Sequence, residues 1–215
     1  PAVLHQFQVL NQAGVFLSGE PALEVWPTRE DERYVQEQLD SYWMAQATRL
    51  VGINITASSR WPSKNLSPEQ IAKLCDLLAA KNIRVLLTGL AKDKDLARQI
   101  IAMAKSKPMD FTGKTNILQL AALIAQCRVF VTPDSAPLHI AAAMGVPVIA
   151  LFGPTNPDRH LPPGENIKVM TKEMECRPCY LTRCRSANHA CLADISSYDV
   201  YLEIKDLLQK AETSR

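Results

Sequence analysis

The stretch VFVTPDSAPLHIAAAMGVPVIALF, residues 129–152, reads as one strand–helix–strand unit and decides the fold. Residues 129–132 are β-branched and aromatic, Pro133 breaks the strand, a helix runs over about 135–144, and a second strand occupies 146–152. Upstream, short β-rich runs keep alternating with helix-like segments as far as Leu50, the pattern of a parallel sheet with crossover helices. The expected fold class is therefore α/β, a Rossmann-like parallel sheet flanked by helices.

Working outward, LVGINI at 50–55 is the first strand. Ser67 caps the next helix, with Pro68 at its first position and Gln70 completing a capping box. Ile71, Leu74, Leu77 and Leu78 fall on one face of that helix, Asn82 stops it, and residues 83–88 form a strand ended by Gly89. A charged segment at 92–95 leads into a second helix reaching Ala104. Phe111 and Thr112 read as a short strand, and Thr115 is positioned to cap a helix that turns Ile117, Leu120, Leu123 and Ile124 inward. Beyond Gly153 the texture changes to prolines (Pro154, Pro157, Pro162, Pro163), a short strand at 167–170, a cysteine cluster and a final helix over 197–210. Towards the start, a helical fragment at 3–11, a loop around Gly19 and Pro21, and an acidic helix at 29–43 read as peripheral or connecting elements.

The chain has 215 residues, 47% hydrophobic and 21% charged, so it belongs with globular proteins rather than disordered ones. With 24 Lys plus Arg against 22 Asp plus Glu it has no global field to attract a polyanion, and any basic site must be local. The most apolar run, 140–152, is shorter than a spanning helix and is interrupted by Gly145 and Pro147. The first ten residues lack the pattern of a secretory signal, and a cytoplasmic setting is the default expectation. Pro1 in place of an initiator Met suggests a start inside something longer.

In open parallel sheets ligands bind beyond the carboxyl ends of the strands, which directs attention to three segments. TASSRWPSK, 56–64, follows the first strand with hydroxyls and cations suited to an anion, although a solvated loop anchored by Trp61 has the same composition. PDSAPLH, 133–139, places small residues at a helix start, where free N–H groups favour a diphosphate. Taken singly, Asp134 and Ser135 read equally as caps and His139 as a satisfied histidine. GLAKDKD, 89–95, offers Asp93 to ribose hydroxyls, or is simply a charged helix start.

Together, Lys64-Asn65-Leu66-Ser67-Pro68-Glu69, the 129–142 stretch and GVPVIALFGPT at 145–155 resemble the ADP-heptose:lipopolysaccharide heptosyltransferases, inverting glycosyltransferases of the GT-B fold. The resemblance runs in order over about 50–210. It implies a donor-binding half (49–210, including the Cys-rich segment 176–191), preceded at 1–48 by the end of an acceptor half or a linker. It also implies that Lys64 and Arg60 compete for the donor phosphates, that Thr56 reaches the same group, and that Asp93 holds the ribose. Asp134, Ser135 and Ala136 form the donor-binding turn, with Asp134 near the sugar, and His139 supports the site. Here Asp93 stands where the family usually has Glu, and Trp61-Pro62 precedes Lys64 rather than following it. No cofactor is required for the implied chemistry. The implied partners are an ADP-sugar donor and a lipopolysaccharide inner-core acceptor bound through the other half, with no nucleic acid and at most a peripheral contact at the inner face of the inner membrane. Transfer by these residues alone is not expected, because the family takes its general base from the acceptor half.

Cys176, Cys179, Cys184 and Cys191 fall within sixteen residues and have the number needed for a tetrahedral zinc site. Free or buried thiols, and disulfides, are the alternatives, the last disfavoured in a reducing compartment. Arg177, Arg183 and Arg185 beside them read as a solvated loop. Two other functions remain open at this point: another GT-B nucleotide-sugar enzyme, epimerase-like, and a zinc-stabilised nucleic-acid-binding module built on the cysteines.

Overall fold

The computed structural model describes residues 2–16, 22–42, 49–186 and 189–213. The turn expected around Gly19 and Pro21, and Trp43, lie outside them. Along the chain the elements are α1 (Ala2–Gln12), α2 (Arg29–Asp40), β1 (Arg49–Asn54), α3 (Pro68–Ala79), β2 (Ile83–Thr88), α4 (Lys94–Met103), β3 (Met109–Asp110), α5 (Ile117–Ala125), β4 (Val129–Pro133), α6 (Ala136–Ala143), β5 (Val148–Leu151), α7 (Pro157–His160), β6 (Ile167–Met170), α8 (Ala190–Ala193) and α9 (Ser197–Thr213). Short 3-10 turns at Pro62–Lys64 and Ala91–Asp93 follow β1 and β2.

The strands form one parallel sheet in the order β3-β2-β1-β4-β5-β6, the doubly wound arrangement whose direction reverses between β1 and β4. Side chains alternate across it with period two. Val51, Ile53, Val85, Val131 and Ile149 face one layer, packed against α3, α4 and α9. Leu50, Leu86, Phe130, Val148 and Ala150 face the other, packed against α2, α5 and α6. Both faces are covered, which is why these strands read as continuous apolar runs. Gly52 marks the tightest point. A Cβ there would lie 2.5 Å from the Phe130 ring, so the absence of a side chain on β1 admits that ring between the strands.

Ser67 and Gln70 form the expected capping box of α3. Other expectations are corrected by the structure. The short strand is Met109–Asp110 rather than 111–112, because the Asp110 carboxylate accepts the Thr112 N–H at 2.8 Å and turns the chain. The cap of α5 is Asn116, paired reciprocally with Gln119, not Thr115. Leu123 and Ile124 are buried as expected and Leu120 partly so, but Ile117 is 70% exposed. Finally, α2 is no mere connector: it buries Val35 and Leu39 in the same cluster as Phe111 and Phe130.

Candidate functional site

The reversal point between β1 and β4 gathers polar side chains at the carboxyl ends of the strands. Asn54, the last residue of β1, is 5% exposed and sits at their centre. Its Nδ2 donates to the Thr56 carbonyl at 2.6 Å and to the hydroxyls of Thr132 and Ser135 at 3.3 Å each, while its Oδ1 accepts from Thr88 at 3.4 Å. Buried polar groups are costly unless bonded, so this hub ties the ends of β1, β2 and β4 to the turn before α6. Sequence reading passed over Asn54. The available signal was a lone amide at the end of an otherwise apolar strand.

Lys64 and Asp134, 70 residues apart in sequence, meet at the mouth of this crevice. The 3-10 turn at Pro62–Lys64 and the end of β4 bring the Lys64 Nζ within 2.6 Å of the Asp134 Oδ2. The Thr155 hydroxyl donates to that same oxygen at 2.8 Å. The ammonium also lies 4.9 Å from the centre of the Trp61 ring, a cation–π contact that limits its travel. Thr155 is a second residue that sequence reading missed, hidden in a Pro-rich loop.

A second pair is Thr56 and Asp93. The Thr56 hydroxyl donates to the Asp93 Oδ2 at 3.0 Å, and the Leu90 N–H donates to it at 2.8 Å. Asp93 is therefore buried and engaged rather than part of a solvated helix start. Beside it opens a cleft of about 240 Å³ whose apolar walls include Leu90, Ile117, Leu120 and Pro137. Thr56, Asn54, Thr115 and Asn116 add polar side chains to its lining. The outward turn of Ile117 supplies one of those walls.

At the start of α6 the Ser135 side chain makes no capping bond and turns instead to Thr132 and to the Pro133 carbonyl, each at 3.1 Å. The helix N-terminus is thereby left without a side-chain acceptor, next to Lys64. The remaining candidates stand apart. Arg60 is exposed and held only through its backbone N–H to Ser58. His139 is exposed on α6 and borders a different cleft, of about 320 Å³, with Arg159 and His160. Desolvation lowers its imidazole pKa, opposed by the Asp134 charge.

Cys176, Cys179, Cys184 and Cys191 all line one small cavity of about 150 Å³, with free thiols. As they stand they do not form a ligand set: among the described residues no three His, Cys, Asp or Glu side chains are arranged to hold a metal ion. Burial pushes the Cys191 thiol pKa up, with Arg177 opposing.

Residues 1–190 match the family described as glycosyltransferase family 9 (heptosyltransferase). The chain belongs to glycosyltransferase family 9. Among family 9 relatives, lipooligosaccharide heptosyltransferase 2 of Campylobacter jejuni subsp. jejuni serotype O:2 is 30% identical over 168 residues, covering 76% of this chain and 52% of the relative. A family 9 glycosyltransferase structure from Veillonella parvula superposes with a TM-score of 0.82 at 26% identity, over 94% of this chain and 58% of that one. The Escherichia coli ADP-heptose lps heptosyltransferase II gives 0.72 at 25% identity, over 91% of this chain and 56% of that one. The family 9 chain described here thus spans about half the length of the relatives it matches. Its Rossmann-like sheet is the α/β fold expected of one half of a GT-B glycosyltransferase. No helix among the described residues is long and apolar enough to cross a membrane.

Proposed function

We propose that these residues form the donor-binding half of an inverting heptosyltransferase that takes an ADP-linked sugar and acts in the assembly of a lipopolysaccharide core. The observation that carries this reading is the Lys64–Asp134 pair, 2.6 Å apart, at the strand-end crevice beside the uncapped start of α6. The names of the relatives support the choice of sugar nucleotide and of acceptor class.

In this reading the adenine lies in the apolar cleft between Leu90 and Ile117, and the ribose hydroxyls meet Asp93 and Thr56. The diphosphate lies at Lys64 and the first N–H groups of α6, Ser135 and Ala136. Asp134 adjoins the sugar, while His139 and Arg60, which stand apart from the pair, are given no contact with the donor. The acceptor oxygen attacks the anomeric carbon, the bond from that carbon to the phosphate oxygen breaks, and ADP departs with the electron pair. Negative charge grows on the leaving phosphate, where a fixed cation and helix N–H groups need little reorganisation to meet it. The proton of the acceptor hydroxyl goes to a base on the opposite face, assigned to the acceptor half. These 215 residues alone therefore bind the donor without turning it over.

The cysteine cluster enters the same proposal as a structural zinc site, which requires the four thiols around their common cavity to close together. Chelator-free protein is expected to carry about one equivalent of zinc, and metal-free protein of undiminished stability overturns that part. For the donor reading, thermal shifts with ADP, UDP and GDP are the test. A ligand that binds only the folded state raises its stability with concentration. ADP is expected to stabilise most; equal shifts, or none, overturn the reading.

A further inference from the structure

We infer that Arg177, within the cysteine-bearing segment, is a positioning residue for the Lys64–Asp134 pair. The inference rests on the donor reading above and extends it to residues that touch no ligand.

The Arg177 guanidinium is half-buried and spends its donors on backbone carbonyls. Nε donates to Gly153, Nη1 to Lys172 at 2.7 Å and Nη2 to Thr155 at 3.4 Å. Among the described residues it makes no ion pair, so its place is fixed by these carbonyls rather than by a carboxylate. The expectation of a solvated arginine is thus corrected. The Gly153 and Thr155 carbonyls belong to the loop after β5, the Lys172 carbonyl to the chain just beyond β6, and Thr155, 1% exposed, donates to the Asp134 oxygen that receives Lys64.

The same segment also holds the other partner. Ser63, immediately before Lys64 and 4% exposed, donates its hydroxyl to the Leu181 carbonyl at 2.6 Å and its N–H to the Thr182 carbonyl at 3.3 Å. Between these points the Tyr180 N–H donates to the Pro154 carbonyl at 3.0 Å. Gly153 lets Leu192 of α8 and the Ser63 carbonyl approach closely, since a Cβ there would lie 2.9 Å from the Leu192 Cγ and 3.3 Å from that oxygen. Residues 177–182 therefore close a ring: Lys64 to Asp134 to Thr155 to Arg177, and back through Leu181 and Ser63 to Lys64. A ring held at both ends fixes the ammonium relative to the helix start, where a single tether would let it swing. Lysine is no equivalent replacement, because its donors all sit on one nitrogen at the end of a flexible stem, where the planar fork presents three nitrogens to three separated carbonyls.

The test uses the 215-residue chain and compares ADP with adenosine, which lacks the group that Lys64 meets. Arg177→Lys is expected to weaken ADP about tenfold, the equivalent of one charge-assisted bond, and to leave adenosine binding unchanged. Ser63→Ala, which touches the ring from its other side, is expected to act in the same direction. In a Lys64→Ala background Arg177→Lys should have no further effect. The inference is overturned if both variants bind ADP like the parent chain, if ADP and adenosine weaken together, or if the effects of Lys64→Ala and Arg177→Lys add. A parent chain that binds adenosine no more weakly than ADP overturns the donor reading itself and this inference with it.

Discussion

Lys64 and Thr155 converge on a single oxygen, Oδ2 of Asp134, at 2.6 and 2.8 Å. The cation of the crevice is thereby held in place by an internal anion, with which, in the donor reading, an incoming phosphate competes.

That competition has a sign. Lys64→Ala removes the phosphate's counter-charge and is expected to weaken ADP at least about tenfold, the scale of one charge-assisted bond. Asp134→Asn keeps an oxygen that can hold the ammonium within the ring but removes the competing charge, and is expected to leave ADP affinity equal or higher. Calorimetric titration of both variants checks the pair, with a loss of ADP affinity in Asp134→Asn counting against the competition.

Asn54 bonds to three different segments at once, so Asn54→Ala leaves the buried Thr88 hydroxyl without its acceptor and the Thr56 carbonyl without its donor, while the hydroxyls of Thr132 and Ser135 keep their bonds to each other and to the Pro133 carbonyl. The expected cost is about 2–3 kcal/mol, the range for leaving buried polar groups unpaired. Urea unfolding measures it, and a change below about 0.5 kcal/mol, the size of an ordinary surface substitution, would show that the hub is dispensable.

Gly52→Ala pushes a methyl to within 2.5 Å of the Phe130 ring and 2.9 Å of the Cys127 sulfur. Both neighbours are buried in the sheet layer and cannot swing away, so overpacking should cost about 1–3 kcal/mol or more. Pairing it with Phe130→Leu, which makes room, should recover part of the loss in the same unfolding experiment.

Thiol reactivity should split the six cysteines. Burial pushes the Cys75 thiol pKa up to about 12, and that of Cys127 higher still, so neither presents thiolate in the native state. Cys176 and Cys184 are exposed and Cys179 half-buried. In metal-free protein a chromogenic disulfide reagent at pH 8 is expected to titrate these three fast, with Cys191 slower and Cys75 and Cys127 only after denaturation. Fast labelling of Cys75 would contradict the packing of α3 on the sheet.

Asp76 links stability to pH. Burial pushes its carboxyl up, but the Ser106 and Lys105 contacts together outweigh it and leave the pKa below its ordinary 3.8. The folded state thus binds this proton less readily than the unfolded one, so the stabilisation is fully present above 3.8 and is lost as pH falls through the folded value. Asp76→Asn should lower stability near neutrality and flatten its decline on the acid side below about pH 4. An unchanged acid limb would remove Asp76 from that role.

Local sequence carried most of the architecture. Capping at Ser67 and the apolar strands at β1, β2 and β4 are short-range effects and appear where the sequence puts them to within a residue, whereas Pro133, read as a break, is the last residue of β4 and pairs with Leu151. The misplacements at Asn116, Ile117 and Met109 lie where two neighbouring residues of similar propensity compete, and the choice is made by packing. For the site, the residue types in the strand-end loops were legible, but their partners were not. Asn54 and Arg177 gave no signal of comparable strength, and Thr155, although it ends the 145–155 motif, carried no role of its own, because a buried amide, a loop threonine and a loop arginine look ordinary until their bonds are known.

By itself the sequence determined the alternation of strands and helices, and hence a parallel α/β sheet with its candidate ligand loops after the strands, while the strand order that opens a crevice between β1 and β4 came with the tertiary structure. Only the tertiary structure decided that Lys64 meets Asp134, that Thr56 meets Asp93, and that the cysteine-bearing segment braces both sides of the first pair. Periodicity and capping act over three or four residues and are written locally. A contact across 70 residues exists only when the whole sheet has assembled, because its distance is set by every strand register between the two side chains.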